Sequence, residues 1–101
     1  HAALPAVPPA DVFVIPASRE QMAYAAQVAH RLRRAGLPTQ LDVTARPLRG
    51  ALAFANREGF RRVVVVGEAE ARDGTLRLRE MSDSAETTIS LEDIGSLVLE
   101  S

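Results

Sequence analysis

The sequence contains no cysteine and no lysine among its 101 residues. Without cysteine, this chain forms no disulfide bond, uses no catalytic thiol and offers no thiolate to zinc. All 12 basic residues are arginine, which is suited to stacking on bases and to forked hydrogen bonds with phosphate or guanine. No apolar run approaches the roughly 20 residues of a membrane-spanning helix. With 47% hydrophobic and 25% charged residues, the composition indicates one soluble globular domain without a membrane partner. The absence of cysteine fits a cytoplasmic protein.

Residues that carry catalysis are also scarce. The only histidines are His1 and His30, and a lone histidine on a helix is far more often a surface residue than a base or a metal ligand. Gly67 is followed by Glu68 and Glu70 rather than by a glycine-rich loop, and their charges repel phosphate. No metal-ligand spacing occurs. The sequence therefore predicts a domain that binds rather than transforms a molecule, without a cofactor or metal of its own.

The net charge of −1 hides an asymmetry along the chain. Residues 31–79 hold 11 arginines and 5 acids, whereas residues 80–101 hold 6 acids and no base. A basic middle and an acidic tail predict a face that binds a polyanion, with a generally solvated surface as the alternative. Residues 1–10 are rich in alanine and proline and lack a basic start. They indicate a linker, or a remnant of cloning, before a domain at residues 11–101 that belongs to a larger protein.

Residues 61–70 (RRVVVVGEAE) predict the central strand of the fold. Four consecutive valines do not alternate with polar residues, so the strand must be covered on both faces, as in a layered α/β sheet. Ligands of open α/β sheets bind at the carboxyl ends of the strands, which is where Glu68 and Glu70 follow. The alternative is that both are solvated turn residues.

The segments before the valines predict two strand–helix units. Residues 11–16 form a buried strand, and a capping box of Ser18 and Gln21 starts a helix that ends at Gly36. Residues 39–43 alternate, with Leu41 and Val43 inward and Gln40 and Asp42 outward, which predicts an edge strand. Pro47 then suits the first position of a second helix, which ends at Gly59. The inward stripe of the first helix is predicted as Met22, Ala25, Ala26, Ala29 and Leu32, and that of the second as Leu48, Ala51, Leu52 and Ala55.

The segments after the valines predict an antiparallel hairpin. A turn at residues 73–74 leads into residues 75–81, in which Leu76 and Leu78 alternate with polar residues, and a second strand follows at residues 86–89. Ser90 is expected to cap a last helix, with Asp93 at the capping-box position and a stripe of Leu91, Ile94, Leu97 and Val98. The prediction is a three-layer α/β domain: a parallel β-α-β-α-β core plus a hairpin, giving a five-stranded mixed sheet with three helices.

Three pairs of charged residues form the candidate binding site. Their positions are the end of the central strand, the polar face of the next strand and the start of the second helix: Glu68 and Glu70, Arg77 and Arg79, Arg46 and Arg49. A carboxylate accepts from the N–H edge of guanine, and an arginine forks onto guanine acceptors or stacks on a base. The alternative is that Glu70 and Arg79 only pair with each other, for about 0–1 kcal/mol.

Over residues 11–99 the sequence resembles the C-terminal anticodon-binding domain of class II aminoacyl-tRNA synthetases, most closely that of the histidine enzymes. The resemblance is carried mainly by LDVTARPLRGALAFANREG and by VGEAE followed by a strand with a late arginine. Glu68, Glu70, Arg79 and Arg46 match charged positions of the family pattern. Arginine often replaces the family's lysine here, and Glu80 stands where an aspartate is common.

The resemblance implies the same fold and a tRNA anticodon loop as the partner. It implies a parent histidine–tRNA ligase, an enzyme that is expected to be a homodimer and to use ATP and magnesium in a catalytic domain outside this chain. The fragment itself would be non-catalytic. Threonine, proline and glycine enzymes share this domain, so they stay open as alternatives. A regulatory or protein-interaction domain that kept the fold and lost RNA binding is another.

Overall fold

The computed structural model describes residues 11–44 and 46–95. Five strands form one mixed sheet: β1 (Val12–Pro16), β2 (Thr39–Leu41), β3 (Arg62–Val66), β4 (Thr75–Glu80) and β5 (Glu86–Ser90). Three α-helices follow β1, β2 and β3: α1 (Met22–Arg34), α2 (Leu48–Glu58) and α3 (Glu68–Asp73). The strand order is β2-β1-β3-β4-β5, which confirms the predicted parallel core with an added hairpin. No helix of the described residues has the length and apolarity that crossing a bilayer requires.

Strands β1 and β3 are buried on both faces, as their unbroken apolar sequences predict. β1 is paired in parallel with both β2 and β3, and β3 is paired antiparallel with β4, so β3 lies at the centre of the sheet. Val64 and Val66 pack under α1, together with Val12 and Val14. Their neighbours Val63 and Val65 face the opposite side. There the sheet packs on α2 with a cluster of three phenylalanine rings, Phe13, Phe54 and Phe60.

Both long helices end at a glycine, as predicted. Gly36 has a φ of 97° and Gly59 a φ of 82°, in the left-handed region where a side chain is strained. After α1, the N–H groups of Gly36 and Leu37 donate to the carbonyls of Arg33 and Leu32. These two hydrogen bonds satisfy the last carbonyls of the helix, and the chain turns back towards β2.

The helix starts differ from the prediction. Ser18 and Gln21 form no capping box: the Ser18 hydroxyl donates to the Gln21 side chain, and a 3₁₀ turn at Arg19–Gln21 precedes α1. Pro47 is the N-cap of α2 rather than its first helical residue. On α1, Ala26 is exposed and Met22 half-buried, and Val28 is buried in the stripe instead. The helix α3 occupies a segment that was predicted as a turn.

Strand β2 is an edge strand, as predicted, but it ends two residues before the predicted end. The two residues that follow it face the opposite way from the prediction. Asp42 is 2% exposed, whereas Val43 is 71% exposed. The prediction that Asp42 faces solvent and Val43 the core was therefore wrong. The Asp42 carboxylate accepts from the backbone N–H and the hydroxyl of Thr44, so a local turn, rather than strand alternation, orients both side chains.

The hairpin of β4 and β5 is buried on one face only. Leu76 and Leu78 lie on one face and Arg77 and Arg79 on the other, as predicted. The leucines pack with the α1-side cluster, and the arginines are on the α2 side. After β5, the Ser90 hydroxyl accepts from the Glu92 N–H and opens a 3₁₀ turn at Leu91–Asp93. Leu97 and Val98 of the predicted last helix lie outside the described residues, as does the predicted linker at residues 1–10.

Candidate nucleic-acid interface

The carboxyl ends of β1, β2 and β3 meet at one edge of the sheet because the three strands are parallel. This edge is called the carboxyl edge below. Helices α2 and α3 begin there. Four of the six predicted site residues are consequently placed at this edge: Arg46 and Arg49 at the start of α2, and Glu68 and Glu70 in the first turn of α3.

Glu70 has a structural role that the sequence reading did not assign. Its Oε1 accepts from the Gly67 N–H at 2.7 Å, which forms the reciprocal half of a capping box at the start of α3. Its other carboxylate oxygen, Oε2, accepts no hydrogen bond from the described residues and stays available as an acceptor. Glu68, at the first position of the same helix, is exposed. One carboxylate therefore both caps α3 and presents an oxygen at the carboxyl edge.

Tyr24 joins the start of α1 to the start of β4 beside Glu70. Its hydroxyl donates to the Thr75 carbonyl at 2.7 Å. Burial raises the pKa of Tyr24 above its ordinary 10.0; the charge of Glu70 adds to this increase, and that of Arg31 opposes it. Tyr24 therefore stays neutral and keeps its proton in this hydrogen bond at neutral pH.

The two arginines of β4 lie at different heights on the α2 side of the sheet. Arg77 is opposite Val65, close to the carboxyl edge, whereas Arg79 is opposite Val63. A strand rises about 3.3 Å per residue, so Arg79 is about 7 Å further from that edge. Arg79 donates to Glu86 at 3.3 Å and to Ser84 at 3.4 Å, and not to Glu70. The alternative hypothesis, in which Glu70 and Arg79 only pair with each other, is therefore not supported by the structure.

Arg77 and Arg49 carry donors without partners among the described residues. The Nε of Arg77 is buried and unbonded. Arg49 is exposed on the first turn of α2 and makes no ion pair or hydrogen bond there. Arg49 therefore keeps its donors for an acceptor outside the domain, whereas the unbonded Nε of Arg77 is enclosed within it.

Arg46 is held by three residues that the sequence reading did not place in the site. Its Nε donates to the Thr44 hydroxyl at 3.0 Å and lies 3.5 Å from Oδ2 of Asp42. Its Cζ stands 4.3 Å from the centroid of the Phe54 ring, within the range of a cation–π contact. The spacing Asp42-x-Thr44 is typical of a turn in which an aspartate accepts from the residue two positions on, and it was the available signal.

The site offers forked donors and carboxylate acceptors, the two kinds of group that read base edges. No cluster of three or more metal-ligating side chains occurs in residues 11–44 and 46–95. The arrangement also brings arginines of α2 and β4 to one side of the sheet. Glu86, the acid of the outer strand β5, accepts a hydrogen bond from Arg79.

Comparison with known families decides what this arrangement belongs to. The model of the anticodon binding domain matches residues 11–101. The chain belongs to the anticodon-binding domain family. Histidine–tRNA ligase of Methanococcus maripaludis is 34% identical over 86 residues, which cover 83% of this chain and 21% of that protein. Histidine–tRNA ligase of Pyrococcus furiosus is 29% identical over 84 residues, covering 83% of this chain and 19% of that protein.

Solved structures show the same architecture. The histidyl-tRNA synthetase of Nostoc sp. PCC 7120 superimposes with a TM-score of 0.85 at 26% identity, over 91% of this chain and 22% of that one. The RNA binding domain of threonyl-tRNA synthetase from Cryptosporidium parvum gives 0.80 at 25% identity, over 91% of this chain and 22% of that one. The predicted resemblance and fold class are thereby confirmed. The chain spans about a fifth of the length of the curated relatives that it matches.

Proposed function

We propose that this anticodon-binding domain recognises the anticodon loop of histidine tRNA as a module of a histidine–tRNA ligase. The observation that carries the proposal is the family match over residues 11–101, with histidine–tRNA ligases among the relatives. The arginines and carboxylates of the carboxyl edge and of β4 support it, because they supply donors and acceptors where sheets of this kind bind ligands.

The six predicted site residues contribute to recognition in different ways. Arg46 and Arg49 reach the RNA from the start of α2, and Arg77 and Arg79 from the open face of β4. Glu70 uses its unbonded Oε2 to accept from a guanine N–H edge while Oε1 keeps the cap. Glu68 supplies a second acceptor at the same edge. Acids among the arginines favour bases over phosphates, since arginine alone binds any phosphate without discrimination.

The rest of the parent enzyme is part of the same proposal. A domain that is about a fifth of its relatives' length leaves room for a separate catalytic domain. That domain would attach histidine to its tRNA with ATP and magnesium, in a cytoplasmic homodimer. A larger chain from the same source that activates histidine and no other amino acid would support this assignment; activation of threonine or proline would replace it.

Salt dependence tests whether the basic residues contact RNA at all. A few phosphate contacts predict a slope of roughly −2 to −3 for log K against log salt, at about −0.7 per phosphate on single strands. The measurement is filter binding of a tRNA anticodon stem-loop over a salt series. The acidic segment at residues 80–101 favours the rival, a domain that binds protein instead. A flat salt response, or no binding at low salt, would contradict RNA recognition and leave that rival.

A further inference from the structure

Arg46 differs from the other arginines of the candidate site because two contacts fix its guanidinium without using its terminal nitrogens. The two hydrogen bonds of Arg79, by contrast, are made by its terminal nitrogens. The Thr44 hydroxyl accepts from Nε at 3.0 Å. The Phe54 ring covers one face, at 4.3 Å from its centroid to Cζ. The two terminal nitrogens have no partner among the described residues, and the side chain is 30% exposed. Arg46 therefore presents an ordered pair of free donors, whereas none of residues 11–44 and 46–95 holds the guanidinium of Arg49.

Asp42 is the buried residue that supports this arrangement. Its side chain is 1% exposed, and its Oδ1 accepts from the Thr44 N–H at 3.1 Å and from the Thr44 hydroxyl at 2.6 Å. That hydroxyl is the group that accepts from Arg46, so Asp42 fixes the acceptor as well as facing the cation. Oδ2 has no hydrogen bond within the described residues, and Nε of Arg46 lies 3.5 Å away. A carboxylate buried in this way is costly without a counterion, which ties it to Arg46.

We propose that Asp42 and Phe54 are positioning residues for RNA binding. They hold Arg46 so that its two terminal nitrogens form a preset fork for a pair of acceptor atoms, either two phosphate oxygens or O6 and N7 of guanine. The inference rests on the proposed function, which supplies the RNA. It goes further by assigning a role to two residues that do not touch RNA themselves.

The physical gain is preorganisation. A free arginine loses much rotamer freedom when it forms a two-point contact, and a side chain that is already ordered in the free protein loses less. Ordering one such side chain corresponds to about a three- to tenfold change in affinity. This is the size of effect expected when Asp42 or Phe54 is replaced and Arg46 is kept.

The test is a cycle of variants of the full chain against a stem-loop with the histidine anticodon. Asp42→Asn should weaken binding about three- to tenfold when Arg46 is present. In an Arg46→Ala background it should have no further effect. Asp73→Asn is the matched control, because it removes the same charge from an exposed side chain that does not contact Arg46.

The sign of the effect separates positioning from general electrostatics. Removal of a negative charge strengthens the attraction of a polyanion, so Asp73→Asn should bind as the wild type or slightly tighter. Positioning predicts the opposite sign for Asp42→Asn. An Asp42→Asn protein that binds as tightly as the wild type, or that loses affinity equally without Arg46, would overturn the inference.

Two modified RNAs identify the acceptor atoms, and a substitute variant covers the case in which Asp42→Asn does not fold. A stem-loop with 7-deazaguanine lacks N7, and one with methylphosphonates lacks charged phosphate oxygens. The modified RNA on which Asp42→Asn no longer lowers the affinity identifies the acceptor atoms. If Asp42→Asn lowers the affinity for both modified RNAs, the proposed fork is contradicted. If thermal melting shows Asp42→Asn to be unfolded, Phe54→Leu, which keeps an apolar side chain in the cluster but removes the ring face, takes its place in the same cycle.

NMR of the free protein tests the positioning without RNA. The Nε–H resonance of Arg46 should be sharp and protected in the wild type and broadened in Asp42→Asn, with Arg49 mobile in both. Equal mobility of Arg46 in the two proteins would overturn the inference while leaving RNA binding intact. Failure of the wild type to bind any anticodon stem-loop would instead overturn the proposed function, and with it the RNA role of the fork.

Discussion

The inner parallel strands and the hairpin differ in how many of their faces are buried. In β1 and β3, consecutive side chains are buried on both faces, under α1 on one side and α2 on the other. In β4, Leu76 and Leu78 are buried while Arg77 and Arg79 on the other face are half-exposed. Strands β1 and β3 therefore have no surface left for a ligand except at their ends. The proposed recognition therefore falls to the carboxyl edge and to the open face of the hairpin, where the six candidate residues lie.

The largest expected effect comes from placing a charge in the doubly buried half. Val64 packs on the α1 side and Val65 on the α2 side. Either one changed to aspartate should cost several kcal/mol of unfolding free energy, or prevent folding, because an unpaired charge would enter the core. Thr88→Asp on exposed β5 is the control and should cost no more than about 1 kcal/mol, because aspartate is only a weaker strand former than threonine there. Urea denaturation measures all three; a wild-type midpoint for either valine variant would contradict the layered core.

The next effect concerns the carboxyl edge, where one residue serves fold and binding together. Glu70→Ala removes the acceptor of the Gly67 N–H and should cost about 1 kcal/mol of stability. Glu70→Gln keeps a carbonyl oxygen for that N–H and should stay within about 0.5 kcal/mol of the wild type. Thermal and urea melts of both variants separate the two. An equal loss in both would mean that the charge, rather than the acceptor, stabilises α3.

The smallest effect is a pH dependence where α1 meets the hairpin. Because the pKa of Tyr24 is raised in the folded protein, the folded state holds this proton more tightly than the unfolded state. Its contribution to stability is complete below the ordinary pKa of 10.0 and is lost as pH rises through the folded-state pKa. Tyr24→Phe should remove this decline. Urea midpoints from about pH 9 to 11 test it, and identical pH profiles for the two proteins would contradict the role of the phenol.

The regular parts of the fold could be predicted from the sequence because their patterns extend over several residues. Val63 to Val66 required cover on both faces, and the alternation of Leu76 and Leu78 required cover on one. The errors lie where a single local contact outweighs the pattern. Asp42 turns inward because Thr44 bonds to it, and this reverses the alternation that was expected for Val43.

The candidate site was predicted as a set of residues, but not as an arrangement. The positions of Arg46, Arg49, Glu68 and Glu70 at one edge follow from the parallel strands. The cap made by Glu70 was hidden because α3 has only six residues, too few for a helical period to show. The support of Arg46 by Phe54 depends on how α2 packs on the sheet, and no spacing in the sequence encodes that contact.

The proposed role of Glu70 and Arg79 is to help this domain read the anticodon bases of a tRNA. The direct measurement is the affinity of the wild type, Glu70→Gln and Arg79→Ala for two stem-loops, one with the histidine anticodon and one with an anticodon guanine replaced. Melting curves confirm that each variant is folded. This role in recognition predicts that the wild type prefers the first RNA, and that each variant loses on the order of 1–3 kcal/mol on it and discriminates less. Variants that bind both RNAs as the wild type does, or a wild type that binds both equally, would contradict it.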